Sequence, residues 1–313
     1  MKIAVTCIQL IRDLGNFESI FDDHGIEVAV PVVKGQFLDG QDLIDALDGC
    51  IGVIAGDDQF SEEVLRSCPG LKTISKWGIG IDGIDSRVAE ELGIRVTNTP
   101  GMFDDEVADV SLSYLICLAR QLVEVDRSVR AGVWMKPAGT SLAGSTLGIV
   151  GLGAIGRALA KRAQCCGMRV IGSDPEKSSQ EASAKIGVEI VEFSELLQQS
   201  DFISINAPLN VSTLHLFDEI AFSKIRRGVK IVNTGRGAVV SSDALVEALR
   251  SGRVAGAALD VMEEEPVPLG HPLLEFDSVI FGSHNASNTL EASQRTHVKA
   301  IENLLASLGS EPS

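Results

Sequence analysis

The sequence predicts an α/β protein built from two doubly wound parallel-sheet domains. Three observations carry this. Short apolar runs alternate with helical patterns along nearly the whole chain, as βαβ units of a parallel sheet require. The alternation comes in two series, the second opening at "STLGIVG". At 313 residues, 45% of them apolar, the chain is long enough for two cores of ordinary size.

In the first series "KIAVT", "EVAVPV", "IGVIAG" and "LKTIS" read as strands, and "QDLIDAL", "SEEVLRS" and "DSRVAEELG" as helices. The opening "MKIAVTCIQL" mimics a signal peptide, but Thr6 and Gln9 interrupt it and no small-residue cleavage site follows, so a first strand is expected. Residues 104–132 read as one long helix, with Asp104 and Asp105 suited to its start and Gly132 to its stop. Its middle is apolar nearly all round. It should therefore be covered on more than one side, by the rest of the chain or by a second copy of it. Strands follow at "STLGIVG", "RVIGSD", "DFISINA", "VKIVNT", "VAGAALDV" and "SVIFGS", separated by helices such as "AIGRALAKRAQCC", "FSELLQQ" and "SDALVEALRSG". The last segment, "TLEASQRTHVKAIENLLASLG", is an amphipathic helix placed to pack back on the first domain.

Charge and composition exclude several functions. With 27 Lys and Arg against 43 Asp and Glu, the net charge is −16, and basic runs are lacking. That argues against nucleic acid and against an anionic membrane surface. The most apolar later window, residues 107–125, contains Asp109, Arg120 and Glu124, so it reads as a buried helix rather than a membrane span. The six cysteines form no C-x-x-C pair and no zinc spacing. They read as reduced, buried residues of a cytoplasmic protein without a metal site.

"STLGIVGLGAIGRALAKR" holds Gly151, Gly153 and Gly156 in G-x-G-x-x-G. A strand runs into the first glycine and a helix starts by Ala154. The first glycine permits a tight turn, the second a close approach of backbone to a pyrophosphate, and the third close packing of helix on strand. The next strand ends in Asp174, 18 residues beyond Gly156, where a carboxylate would meet the adenine ribose hydroxyls. An Asp there repels a 2′-phosphate, and Pro175 and Glu176 supply no Arg to hold one. This predicts a Rossmann-type domain for NAD rather than NADP.

Three more strand ends carry candidate chemistry: Arg236 in "IVNTGRGAVV", the run Glu263, Glu264 and Glu265 in "ALDVMEEEPVP", and His284 in "IFGSHNAS". Ligands of a parallel sheet lie beyond the carboxyl ends of its strands. An Arg to pair a carboxylate and polarise a carbonyl, a His to exchange a proton and a carboxylate to orient the imidazole are what hydride transfer to a 2-keto acid needs. Each residue alone also fits a plain structural role: Arg236 in a turn, the glutamates in a solvated loop, His284 at the surface. His215 in "VSTLHLF" and His271 in "PLGHPLL" read as packing or turn residues.

With these residues in place, the chain resembles the D-isomer-specific 2-hydroxyacid dehydrogenases. The resemblance rests on "SKWGIGIDGID", "GIRVTNTPG", "TLGIVGLGAIGRALA", "NAPLNVSTLHLF", "IVNTGRGAVV", "AGAALDVMEEEP" and "GSHNASNT", and extends over essentially the whole chain. It implies that Arg236, Glu265 and His284 form the catalytic set. It implies cofactor contacts from Gly151, Gly153, Ala154, Ile155, Gly156, Asp174, Pro208, Thr213, Thr234, Gly235, Arg236, Asp260 and His284. The substrate would meet the backbone of Gly78, Ile79 and Gly80 together with Arg236 and His284. The implied architecture is a flavodoxin-like substrate domain, residues 1–97 and 288–313, split around an NAD domain of residues 98–287. A homodimer is the expected assembly.

The last motif departs from the more usual Pro-His-Ile-Gly, and Asn206 stands where many members have His. In "IAGDDQF", Asp57 and Asp58 stand where several phosphoglycerate-specific members carry a basic residue; Lys76 and Lys136 are candidate replacements for that charge. The resemblance implies interconversion of a D-2-hydroxy acid and its 2-keto acid, with a phosphoglycerate dehydrogenase-like enzyme as the first reading. A hydroxypyruvate or glyoxylate reductase is the alternative within the family. An NAD-sensing scaffold without turnover, or a formate- or phosphite-oxidising relative, lies further off.

Overall fold

A computed structural model describes residues 1–309. The first ten elements are β1 (Lys2–Val5), α1 (Ile8–Asp13), α2 (Glu18–Asp23), β2 (Glu27–Ala29), α3 (Gly40–Ala46), β3 (Gly52–Ala55), α4 (Glu62–Ser67), β4 (Thr73–Lys76), α5 (Ser86–Glu91) and β5 (Arg95–Thr97). There follow α6 (Asp104–Arg120), α7 (Leu122–Arg130), β6 (Thr146–Val150), α8 (Ala154–Cys165), β7 (Arg169–Ser173), α9 (Lys177–Ala184), β8 (Glu189–Ile190), α10 (Phe193–Gln199) and β9 (Phe202–Ile205). The chain ends through α11 (Glu219–Lys224), β10 (Val229–Asn233), α12 (Ser242–Arg250), β11 (Val254–Leu259), β12 (Val279–Phe281) and α13 (Leu290–Gly309). Two compact units result, Met1–Met102 with the chain from Thr289 onward, and Phe103–Asn288.

The first unit is a five-stranded parallel sheet of order β2-β1-β3-β4-β5. Helices α3, α4 and α5 cover one face through Leu43, Val64, Leu65 and Val88, packed on Ala4, Val53 and Ile74. Helix α13 lies against β3, β4 and β5 and buries Ala292, Ala300, Ile301 and Leu304. The first unit runs to Met102. Thr99 N donates to Gly78 O, and Arg295 Nε on α13 donates to Met102 O, which ties this stretch to the first unit.

The second unit is a seven-stranded parallel sheet of order β12-β11-β10-β9-β6-β7-β8. Alternate residues of each strand face opposite helix layers. Leu147, Ile149, Phe202, Val232 and Ala258 meet α6 and α8, whereas Val150, Ile203, Ile205, Ile231 and Leu259 meet α10, α11 and α12. A sheet buried on both faces needs apolar residues on both, which explains the nearly unbroken apolar strands in the sequence. The strand order reverses between β6 and β9, and in the first unit between β1 and β3. Both sheets are therefore doubly wound, as expected.

Some elements differ from the sequence reading. The long helix at residues 104–132 is two helices, because Gln121 takes a left-handed φ of 52° and its N–H closes α6 on Cys117 O. Only α6 has fully buried residues; α7 has none. Helices α1 and α2 precede β2, where no helix was expected. Cys7, Cys50 and Cys68 are buried, but Cys165 is exposed at the end of α8, where its helix face turns outward. Among the described residues no helix is long and apolar enough to cross a membrane.

The third glycine of the motif is fixed by packing. A Cβ on Gly156 would lie 2.1 Å from Gly151 O, so backbone would have to move. We expect Gly156→Ala to lower stability by about 1–3 kcal/mol, the usual range for overpacking, and to weaken NADH binding. Denaturant unfolding and NADH titration check this; wild-type values for both would contradict the packing role.

Candidate active site

The functional groups of the second unit gather at the carboxyl ends of β6, β9, β10, β11 and β12. Gly151 follows β6 with φ 91°, and a Cβ there would approach the backbone of Asn206 and Ala207 to 2.8 Å. Gly153 is the N-cap of α8, has no side-chain cap and opens onto free space. The first amides of α8, at Ala154 and Ile155, thus lack a side-chain cap, as the N-terminus of an anion-binding helix does. Asp174 closes this cradle. Its Oδ2 accepts from Leu152 N at 2.7 Å and its Oδ1 from Glu176 N at 2.8 Å. Each carboxylate oxygen keeps further acceptor capacity for a ribose hydroxyl. The glycine turn and the carboxylate therefore fit an NAD cofactor.

Thr234 follows β10 and is buried, with its Oγ1 2.8 Å from Ser111 Oγ and 3.4 Å from Asn206 Oδ1. Gly235 N donates to Asn233 Oδ1, and Asn233 Nδ2 to Arg236 O, so a buried Asn shapes the turn that presents Arg236. Arg236 is partly buried and its Nη1 donates to Gly235 O. Pro208 and Thr213 shape their own turn: Thr213 Oγ1 donates to Pro208 O at 2.6 Å and accepts from Asn210 N at 2.8 Å.

His284 Nδ1 lies 2.8 Å from Glu265 Oε2, with both side chains mostly covered, at 29% and 23% exposure. The same carboxylate accepts from Met262 N at 2.9 Å through Oε1. Of the three glutamates, Glu265 is the one that reaches His284. Glu263 instead holds His215 Nε2 at 2.6 Å and accepts from Ser242 N at 2.6 Å, while Glu264 is exposed. His271 Nδ1 accepts from Leu273 N, a turn role.

Asp260 is buried. Its carboxylate accepts from Ala286 N at 2.9 Å, Asn285 N at 3.3 Å and Tyr114 OH at 3.4 Å, and its carbonyl accepts from His284 N at 2.7 Å. This grips the turn on which His284 takes a left-handed φ of 53°. Burial, with the Asp260 charge beside it, pushes the Tyr114 phenol well above its ordinary pKa, so it stays a donor. Nothing in the sequence singled out Tyr114 or the bracing role of Asp260; an Asp at a strand end reads equally well as a ligand contact.

In the first unit, residues 78–80 follow β4. Gly78 N donates to Thr99 Oγ1 at 3.0 Å, and Asn98 Nδ2 donates to Ile79 O at 2.7 Å. The amide of Gly78 is thus engaged within the fold, leaving those of Ile79 and Gly80 as the loop's open donors among the described residues. Asp58 turns inward: it is buried and accepts from Thr6 Oγ1, Leu38 N and Gly56 N, and burial pushes its carboxyl up against those bonds. Asp57 holds Lys76 Nζ at 2.8 Å. Lys136 is exposed.

Residues 112–286 match the family model described as D-isomer specific 2-hydroxyacid dehydrogenase, NAD binding domain. The chain belongs to the D-isomer specific 2-hydroxyacid dehydrogenase family. It is 41% identical over 260 residues to the glyoxylate reductase of Thermofilum pendens, covering 81% of this chain and 77% of that one. It is 39% identical over 279 residues to the D-3-phosphoglycerate dehydrogenase of Pongo abelii, covering 88% of this chain but 51% of that longer protein. The NAD-dependent formate dehydrogenase of Staphylococcus aureus, solved in complex with NAD, superposes with a TM-score of 0.88 at 28% identity, covering 100% of this chain and 97% of that one. This 2-hydroxyacid dehydrogenase is accordingly an NAD-dependent oxidoreductase acting on CH–OH groups.

Asp174 should set the choice between dinucleotides, because a 2′-phosphate would bring like charge against a carboxylate already held in place by two amides. We expect kcat/KM for NADH to exceed that for NADPH by about 100-fold or more. Steady-state kinetics with both cofactors check this, and a preference for NADPH would refute the role of Asp174.

Proposed function

We propose that this dehydrogenase reduces a small 2-keto acid without a phosphate group, of the glyoxylate or hydroxypyruvate type. The observation that carries this reading is the pairing of Lys76 with Asp57. Lys76 is buried, and its Nζ lies 3.2 Å from where a Cβ on Gly78 would stand. It thus stands against the start of the loop that carries the amides of Ile79 and Gly80. With Asp57 on it at 2.8 Å, the pair is neutral, and a phosphate arriving there would meet a carboxylate as well as an ammonium. The 41% identity to a glyoxylate reductase supports the same reading. The phosphoglycerate dehydrogenase-like reading keeps its support in the 39% identity to such an enzyme.

In this reading the amides of Ile79 and Gly80 take the substrate carboxylate, since backbone N–H groups in a glycine-containing loop suit an anion. Arg236 pairs with the carboxylate and polarises the keto oxygen. NADH supplies the hydride. His284, with Nδ1–H directed to Glu265, gives up the proton on Nε2 to the keto oxygen, and the Glu265 carboxylate favours the imidazolium that donates it. Ala154 and Ile155 hold the pyrophosphate, Asp174 the adenine ribose, and Thr234, Gly235 and Asp260 border the nicotinamide end. Pro208 and Thr213 act through the shape of their turn. Substrate and NAD are the partners this reading needs, in a cytoplasmic enzyme. A homodimer through the second unit accounts for the exposed apolar residues Leu122, Val129, Val133 and Trp134 on and after α7.

Two measurements test the assignment. A panel of glyoxylate, hydroxypyruvate, pyruvate and phosphohydroxypyruvate with NADH should give higher kcat/KM for one of the first two than for the phosphorylated acid. Asp57→Asn, which frees Lys76, should narrow that gap by about tenfold, the worth of one charge-assisted interaction. Preference of the wild type for phosphohydroxypyruvate would overturn the proposal. Absence of turnover with every acid, alongside normal NADH binding, would point to a scaffold.

Substitutions in the catalytic set should separate by role. His284→Gln should keep NADH binding and lower kcat by about 10²–10⁴. Glu265→Gln should cost less and move the alkaline limb of keto-acid reduction to lower pH, because an imidazolium without its carboxylate loses its proton more easily. Arg236→Lys should raise substrate KM as well as lower kcat. Near-normal turnover in His284→Gln, with loss of activity in His215→Gln, would move the acid to the other His–Glu pair.

A further inference from the structure

The open amides of Ile79 and Gly80 stand just after Trp77, a residue with no part in the chemistry above. Trp77 continues β4 by one residue: its N–H donates to Ala55 O at 2.9 Å, and its carbonyl accepts from Lys76 Nζ at 3.1 Å. The indole is buried, and its Nε1–H donates to His297 Nδ1 at 2.9 Å. His297 lies on α13 and is 0% exposed. An indole N–H can only donate, so Nδ1 must be the accepting nitrogen and the ring proton sits on Nε2. There it meets Asp13 Oδ2 at 3.2 Å, at the end of α1. Phe17 packs edge-on at 5.6 Å between ring centroids, and the Trp77 ring lies at 5.7 Å. Burial lowers the pKa of His297 against the pull of Asp13, which keeps the ring a neutral acceptor.

The other ties of this loop are made by backbone or by neighbouring side chains. Gly78 is held by Thr99 and Ile79 O by Asn98. Trp77 is the one residue of 77–80 whose own side chain carries a hydrogen-bonding group. The indole is therefore the loop's own side-chain anchor at its start. A buried His–Trp bond is also an expensive way to fill space, because an unpaired indole N–H or imidazole nitrogen there would cost the full desolvation of that group.

We propose that the relay Asp13–His297–Trp77 is a positioning device for the carboxylate-binding amides of Ile79 and Gly80, with His297 as its central positioning residue. The inference rests on the reading that these amides take the substrate carboxylate. Asp13 fixes the tautomer, the tautomer fixes Nδ1 as acceptor, and the acceptor fixes the indole from which the loop extends. Substrate affinity should then depend on a histidine that touches no reacting atom.

The test compares Trp77→Phe, which deletes only the donor and one ring, with two variants of His297. Asn carries its oxygen near the position of Nδ1 and can still accept from Trp77; Gln reaches toward Asp13 instead. Trp77→Phe and His297→Gln should raise KM for glyoxylate about 5–10-fold, the worth of one hydrogen bond, with kcat changed less than about twofold and NADH affinity unchanged. His297→Asn should recover most of the KM. A fall in melting temperature with KM unmoved, or a parallel loss of kcat and NADH affinity in all three, would overturn the relay. Backbone amide NMR with oxamate as a non-reacting probe separates this from failure of the underlying reading. If the amide signals of Ile79 and Gly80 do not respond to oxamate in the wild type, the carboxylate assignment falls. If they respond with equal affinity in the wild type and Trp77→Phe, the relay falls and the assignment stands.

Discussion

The site depends most on the 2.8 Å hydrogen bond between His284 Nδ1 and Glu265 Oε2. It fixes which nitrogen of the imidazole faces the carboxylate and leaves Nε2 as the other ring nitrogen. Much of the nearby structure holds its two ends still. Asp260 grips the His284 turn through the amides of residues 284–286, and Met262 N holds the second oxygen of Glu265. Glu263 anchors the same loop to His215 and to the start of α12. Gly282 is part of this arrangement, since a Cβ there would come within 2.1 Å of Asp260 Oδ1.

Parallel strand direction supplies the remaining constraint. Every strand end of a parallel sheet opens on the same edge, so residues far apart in sequence reach one rim. In the second unit this brings the glycine turn, Thr234, Arg236, Glu265 and His284 to that rim. In the first it brings Asp57, Lys76, the amides of Ile79 and Gly80, and Thr99 to another. The rim of the second unit carries the glycine turn and the His284–Glu265 pair, and that of the first the backbone amides of Ile79 and Gly80 with Lys76 paired to Asp57. That neutralisation is a local departure in a chain whose net charge of −16 would already repel anions.

Both sheets were legible in the sequence because doubly covered strands are apolar on both faces, and the turns between them are marked by glycine and aspartate. The glycine cradle and Asp174 were legible for the same reason: their spacing is dictated by backbone geometry. The glutamate run was not resolved by spacing, since three neighbouring carboxylates differ only in what they touch; the resemblance named Glu265, and the structure puts that residue on His284. Gln121 gave no sign of ending α6, because a left-handed φ at a non-glycine residue has no sequence mark. The pairing of Asp57 with Lys76 and of Trp77 with His297 joins residues 19 and 220 positions apart. Such contacts follow from strand order and helix return, which local pattern does not encode.

Nitrogen-15 NMR of the His284 side chain tests the central claim most directly. The account predicts that, in the neutral ring, the proton sits on Nδ1 and is shifted by the Glu265 carboxylate, with Nε2 bare. It also predicts that Glu265→Gln alters both signals. A neutral ring protonated at Nε2, or signals indifferent to Glu265, would contradict it.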